Sequence, residues 1–146
     1  MYYIDTSAFT KIYHAEEGSE ALHQLYAGNK TLQISELTRL EFLSAATRKR
    51  REELISQQTH EKLLTRFEED IRSRYELLRF TSAVVEEAAH SLALLPETKP
   101  LRTLDALQLA FYKQYCQPNT IFVCADVRLL DVVSSLGRSV LNLAAI

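Results

Sequence analysis

Short apolar segments alternate along this chain with longer segments that carry apolar residues at helical spacing, and this alternation restricts the fold more than any other feature. The segments Met1 to Ile4, Thr31 to Ser35 and Thr120 to Ala125 have the length and composition of buried strands. Two further strands are predicted near Glu76 to Phe80 and in SVLNL, residues 139–143. Strands that alternate with helices favour a parallel sheet with helices on both faces. The sequence therefore predicts an α/β fold.

The helical segments follow from apolar spacing and from residues that cap helices. Thr6 or Ser7 is expected to cap the first helix, Ser82 a later one and Asp126 the last, which would run to Gly137. The two helices after the second strand are expected to form a hairpin. The predicted helices before Asp126 are 6–15, 19–26, 36–51, 59–74, 82–94 and 101–115.

Size and composition indicate one folded domain over residues 1–146, with 47% hydrophobic and 25% charged residues. The net charge of −2 lacks the basic excess of many nucleic-acid-binding proteins, so any such binding must be local. Arg48 to Arg51, RKRR, could provide a phosphate contact or simply complement the dipole at a helix end.

Cys116 and Cys124 form no CxxC motif, and two cysteines are a weak basis for a disulfide framework. We therefore expect a reducing compartment, the cytoplasm. No apolar run approaches the ~18 residues that a membrane span requires, so we expect no membrane insertion.

Four acids stand apart from those on solvated helix faces because of their positions. Asp5 ends the first predicted strand, and Asp126 follows FVCA, the end of a later one. Ligands bind beyond the carboxyl ends of the strands in parallel sheets. Glu41 and Asp105 lie inside apolar helical stretches, RLEFLSA and RTLDALQLA. Simpler interpretations remain open at this point, since Asp126 could be only a helix cap.

Glu41 and Asp105 could likewise be buried acids paired with an arginine such as Arg39 or Arg102. If instead the four carboxylates converge, they repel, because two unit charges 4 Å apart cost about 4 kcal/mol at an effective dielectric of 20. A hard divalent cation, Mg²⁺ or Mn²⁺, relieves this repulsion. Such an ion suits phosphodiester hydrolysis.

The order of four motifs resembles the PIN-domain ribonucleases, in particular the VapC-type toxins of toxin-antitoxin pairs. The motifs are YIDTSA, Ser35 with Glu41 six residues later, RTLDALQLA and FVCADVRLL, and together they span Tyr2 to Leu143. The resemblance implies a three-layer α/β/α sandwich with a central, mainly parallel sheet of four or five strands. It also implies a homodimeric endoribonuclease that uses Mg²⁺ or Mn²⁺ to cleave RNA, and an antitoxin protein as partner.

Carried over by residue, the resemblance assigns catalysis and metal binding to the four acids. Asp5 and Asp105 match the principal metal ligands, Glu41 matches the acid that completes the pocket, and Asp126 matches the fourth acid. Ser7 and Ser35 match small hydroxyl residues with a supporting role. Cys124 departs from the family pattern, because Thr or Ser is common at that position.

Three other functions fit the sequence less well. An inactive PIN-like module that binds protein or RNA is the main alternative. A receiver-like phosphoacceptor needs paired acids after the first strand and a late lysine, and a DxD phosphatase needs an acid where Ser7 stands. The four histidines show no metal-ligand spacing. The apolar stripe from Leu63 to Leu78 could receive a partner helix or pack in the chain's own core.

Overall fold

The computed structural model describes residues 1–13, 24–25, 27–28, 30–96 and 100–143. Within these residues, five strands and six helices follow one another along the chain. The strands are β1 (Tyr2–Ile4), β2 (Leu32–Ser35), β3 (Tyr75–Leu78), β4 (Ile121–Cys124) and β5 (Val140–Asn142). The helices are α1 (Thr6–Tyr13), α2 (Glu36–Arg51), α3 (Gln57–Arg74), α4 (Ser82–Leu94), α5 (Thr103–Tyr115) and α6 (Val127–Ser135).

The five strands form one parallel sheet in the order β3-β2-β1-β4-β5. The chain builds outward from β1 through β2 to β3, then crosses back to place β4 on the other side of β1. Ile4 is in register with Val123, and the next N–H, that of Asp5, donates to the Val123 carbonyl at 3.0 Å. The strand order therefore reverses between β1 and β4, and such a reversal is where parallel α/β sheets generally bind ligands, beyond the carboxyl ends of the strands.

Helices cover both faces of the sheet because successive strand residues point to opposite sides. Tyr3 and Phe122 lie in one buried cluster, chiefly with α4, α5 and α6. Ile4 and Val123 lie in the other, chiefly with α1, α2 and α3. The predicted three-layer sandwich with a mainly parallel sheet is confirmed.

Most predicted element boundaries agree with the structure to within two residues. Helices α2 and α4 have the predicted bounds, but Thr81 rather than Ser82 caps α4, since the Thr81 side chain accepts the Val84 N–H. Helix α6 ends at Ser135, two residues before Gly137, whose φ is +71°. Most of the helix predicted at 19–26 lies outside the described residues.

Helices α2 and α3 pack against each other as the predicted hairpin, and Arg39 of α2 pairs with Glu68 of α3 at 2.9 Å. The apolar stripe of α3 is used largely inside the chain, since Phe67 is fully buried and its ring centroid lies 4.3 Å from that of Phe42. None of the described helices has both the length and the apolar composition to cross a bilayer.

Candidate metal centre

Asp5 lies directly after the central strand β1, at the carboxyl end of the sheet where the strand order reverses. Its side chain is buried, with 5% of the residue exposed. Its Oδ1 accepts the Ser7 hydroxyl at 2.6 Å and the Ala8 N–H at 3.1 Å, and its carbonyl accepts the Phe9 N–H. Asp5 therefore caps α1, and the expectation that Thr6 or Ser7 would do so was wrong. A cap from the acid itself satisfies an N–H group of the first turn that would otherwise lack a partner.

The charge of Asp5 has no cation to balance it within the described residues. Burial raises the pKa of Asp5 to about 6, opposed by its hydrogen bonds from Ser7 and Ala8 and reinforced by the negative charge of Glu41. Asp70 shows the contrasting case, because this buried acid lies 3.1 Å from Arg74 and 3.8 Å from Arg66. Asp5 is thus a desolvated carboxylate for which the described residues supply no positive partner.

Glu41 lies on α2 and reaches the same region as Asp5. Its Oε2 accepts hydrogen bonds from the Thr6 hydroxyl and from Nε2 of Gln108, the latter at 2.9 Å. The alternative that Arg39 neutralises Glu41 is wrong, since Arg39 pairs with Glu68 instead. A second carboxylate without an ion pair among the described residues therefore adjoins Asp5.

Asp105 lies in the first turn of α5, where its Oδ2 accepts the backbone N–H of Arg102 at 3.2 Å. The guanidinium of Arg102 forms no ion pair with Asp105, so that alternative also fails. Asp105 precedes Gln108 by three residues, and this spacing places both on one side of the helix. The side of α5 that carries Asp105 is thus the side that contacts Glu41.

Asp126 follows β4 and caps α6 through Oδ1, which accepts the N–H groups of Arg128 at 2.9 Å and Leu129 at 3.3 Å. Its Oδ2 lies 3.7 Å from the Arg128 guanidinium. The interpretation of Asp126 as a helix cap is therefore correct. Its additional role as a metal ligand stays a prediction.

The hydroxyl and thiol side chains around the acids join the ends of separate elements. Ser7 donates to Asp5 and accepts the Ala125 N–H at 2.9 Å, which ties α1 to the end of β4. Cys124 replaces the expected hydroxyl, and its buried Sγ accepts the Asp126 N–H at 3.2 Å. Burial raises the pKa of the Cys124 thiol well above its ordinary value, so it acts as a neutral partner. Both cysteines are free thiols.

Sequence reasoning missed a buried polar network around Gln108, which is 2% exposed. Its amide forms hydrogen bonds with five side chains from β1, α1, β2 and α2. These side chains are Tyr3, Thr6, Ser35, Thr38 and Glu41. The signal in the sequence was a lone glutamine three residues after Asp105 in the otherwise apolar stretch LDALQLA. A polar residue there requires buried partners.

No three acidic, histidine or cysteine side chains form a ready-made metal cage in the part of the chain that the structure describes. Asp105 and Asp126 instead direct carboxylate oxygens to backbone N–H groups. Mg²⁺ nevertheless binds proteins through one or two carboxylates, with water and substrate phosphates as its remaining ligands. The uncompensated pair Asp5 and Glu41 fits this kind of site.

The RKRR cluster, residues 48–51, lies at the C-terminal end of α2, and Ser35 caps the N-terminal end of the same helix. A rise of 1.5 Å per residue puts Arg51 about 15 Å along the helix axis from Glu41. Arg50 also donates to the Gln57 side chain at 2.8 Å. Arg48 is nearer, about 10.5 Å along the axis from Glu41, and the interpretation of the cluster as a phosphate contact stays a prediction.

The protein is a parallel α/β sandwich in which two neighbouring carboxylates, without an ion pair among the described residues, offer the oxygen donors that hard cations prefer. The PIN domain family model matches residues 2–132, and the chain belongs to this family. No curated protein matches the chain in sequence.

Solved structures share the fold at low sequence identity. FitAcB from Neisseria gonorrhoeae matches with a TM-score of 0.74 and 16% identity over 100% of both chains. VapC20 of Mycobacterium tuberculosis, described as a sarcin-ricin loop cleaving toxin, has a TM-score of 0.68 and 14% identity, covering 94% of this chain and 96% of that one. A toxin-antitoxin complex from Klebsiella pneumoniae matches with a TM-score of 0.61 and 15% identity, covering 97% of each chain. Such identities establish the fold alone.

Proposed function

We propose that the protein is a metal-dependent endoribonuclease, the toxin of a toxin-antitoxin pair, which hydrolyses phosphodiester bonds in RNA. The observation that carries this proposal is the pair Asp5 and Glu41, which lie together at the strand-order reversal without a cation among the described residues. Nucleases of this family generally use divalent metal ions.

Asp5, Glu41, Asp105 and Asp126 are the proposed catalytic residues and ligands of Mg²⁺ or Mn²⁺. Asp5 and Glu41 form the inner pair, because neither makes an ion pair within the described chain. Asp126 contributes less strongly, since two N–H groups hold its Oδ1 and the Arg128 guanidinium lies 3.7 Å from its Oδ2. Asp105 resembles Asp5, because an N–H group holds one of its oxygens and it forms no ion pair among the described residues.

In the proposed mechanism, neighbouring side chains hold and orient the carboxylates that bind the metal ion. A bound divalent ion supplies a water of lowered pKa and neutralises charge on the phosphate. Ser7 fixes one oxygen of Asp5 through its 2.6 Å hydrogen bond, and Thr6 and Gln108 hold one oxygen of Glu41. The carboxylates thus stay oriented before substrate arrives, which reduces the reorganisation that catalysis requires.

The proposed partners follow from the relatives rather than from contacts in this chain. VapC20 is described as cleaving the sarcin-ricin loop, and the Klebsiella protein was solved as a toxin-antitoxin complex. We accordingly propose an RNA substrate and an antitoxin protein as partners. The resemblance to VapC-type toxins adds a homodimer to this proposal, and we further propose a cytoplasmic location. Two free thiols agree with a reducing compartment.

The test is cleavage of single-stranded RNA by the purified protein with Mn²⁺. We expect Asp5→Asn to abolish cleavage while circular dichroism shows an intact fold, because asparagine keeps the cap but loses the charge. Asp70→Asn is the matched control at a buried acid outside the site and should retain cleavage. Full activity of Asp5→Asn would contradict the mechanism, and a wild type without Mn²⁺-dependent cleavage would favour the inactive binding module.

A further inference from the structure

The side-chain amide of Gln108, in α5, is buried, and hydrogen bonds to its oxygen fix its orientation. Its Oε1 accepts the Tyr3 hydroxyl and the Ser35 hydroxyl, the latter at 3.2 Å. Burial raises the pKa of Tyr3 well above its ordinary value, so the phenol remains protonated and donates. Two donors on Oε1 require the amide nitrogen to face the opposite way.

The amide nitrogen faces Glu41 and the threonines beside it. Nε2 donates to Glu41 Oε2 at 2.9 Å, and it lies 2.8 Å from the Thr6 hydroxyl oxygen and 3.1 Å from that of Thr38. The Thr6 hydroxyl donates to the same Oε2. Glu41 Oε1 accepts no hydrogen bond within the described residues. One oxygen of this carboxylate is therefore held, and the other is left for a ligand.

We propose that Gln108 is a positioning residue for the metal centre, which holds Glu41 Oε2 so that Oε1 is presented to a divalent cation. This inference rests on the proposed function. A glutamate held in one rotamer loses less conformational entropy when it binds the ion. Loss of a group that orients a metal ligand typically weakens metal affinity 10–100-fold.

The experiment is calorimetric titration of Mn²⁺ into the RNA-free protein. Gln108→Met has nearly the same volume but no donor, and we expect its Mn²⁺ dissociation constant to rise at least about 10-fold. In a Glu41→Gln background the same substitution should have no further effect on Mn²⁺ binding, because the ligand that it orients is absent.

Gln33 provides a matched control, since it is also buried and its Nε2 donates to a carboxylate, that of Glu76, at 2.9 Å. Gln33→Met should lower stability but leave Mn²⁺ affinity unchanged. If it weakens Mn²⁺ binding as much as Gln108→Met does, Gln108 has only a structural role. Wild-type affinity in Gln108→Met, with binding weakened in Glu41→Gln, would overturn the positioning role and leave the proposed function intact. A wild type that binds no Mn²⁺ would overturn both.

A second measurement needs no substitution at Gln108. In nuclear magnetic resonance spectra of the wild type, the Gln108 side-chain amide signals should shift as Mg²⁺ saturates the site. In Glu41→Gln they should not shift. Unchanged amide signals in the wild type at saturating Mg²⁺ would overturn the proposal even if Gln108→Met failed to fold.

Discussion

At the scale of the residue, Asp5 combines three properties that make a bound cation favourable. It is buried, it caps a helix and it lies beside a second carboxylate, yet no described cation pairs with it. Its place after a strand could be read from YIDTSA. Its role as the cap of α1 could not, because Thr6 and Ser7 are equally suitable cap residues and only the tertiary contacts of β1 decide among them.

The raised pKa of Asp5 predicts how the stability of the metal-free protein depends on pH. Because burial raises this pKa from 3.8 to about 6, the Asp5 contribution to stability is full below pH 3.8 and is lost as pH rises through 6. A shift of this size corresponds to about 3 kcal/mol at most. Asp5→Asn cannot ionise, so it should unfold at higher urea concentration than the wild type at pH 8, and at a similar concentration near pH 3.5. Urea unfolding with EDTA measures this, and parallel pH profiles for the two proteins would contradict the prediction.

At the scale of the element, backbone N–H groups at the N-termini of helices orient three of the acids. Asp5, Asp105 and Asp126 all accept backbone N–H groups in the first turn of a helix or just before it. The spacing of apolar residues predicted those helices well. It could not predict Gln108 as the partner of Glu41, because that contact joins residues 67 positions apart through side-chain rotamers.

The capping role of Asp126 can be separated from its proposed metal role by two substitutions. Asparagine caps as well as aspartate, so Asp126→Asn should keep the free energy of unfolding, whereas Asp126→Ala should lose about 1 kcal/mol. For Mn²⁺, Asp126→Asn should weaken binding less than Asp5→Asn does, because N–H groups and Arg128 already engage its carboxylate. Urea unfolding and calorimetry measure the two effects. An equal loss of Mn²⁺ affinity in both asparagine variants would contradict this ranking.

The turn between α2 and α3 carries backbone strain at Glu53, whose φ is +57°. The left-handed region costs a residue with a side chain about 1–2 kcal/mol, more than the entropy that glycine loses on folding. We expect Glu53→Gly to stabilise the protein by up to about 1 kcal/mol in thermal or urea unfolding. Glu52→Gly is the control, since Glu52 has a φ of −80° and should gain nothing. Destabilisation by Glu53→Gly would show that the turn is not strained.

At the scale of the whole molecule, the strand order explains why distant parts of the sequence come together beyond the ends of β1 and β4. The chain returns to β1 after building β3, and this reversal puts the end of β4 beside Asp5 although more than a hundred residues separate them. Alternating strands and helices were enough to predict a parallel sandwich. They do not specify strand order, which depends on how the two buried clusters pack. The resemblance to the PIN family predicts that the four acids converge. Among the described residues the structure brings Glu41 next to Asp5, and the roles of Asp105 and Asp126 as metal ligands stay predictions.

The most direct test of the metal centre is a crystal structure of the wild type grown with Mn²⁺, with anomalous diffraction data. We predict an anomalous peak in contact with carboxylate oxygens of both Asp5 and Glu41, beyond the carboxyl ends of β1 and β4. A crystal saturated with Mn²⁺ in which these two carboxylates bind no ion would contradict it.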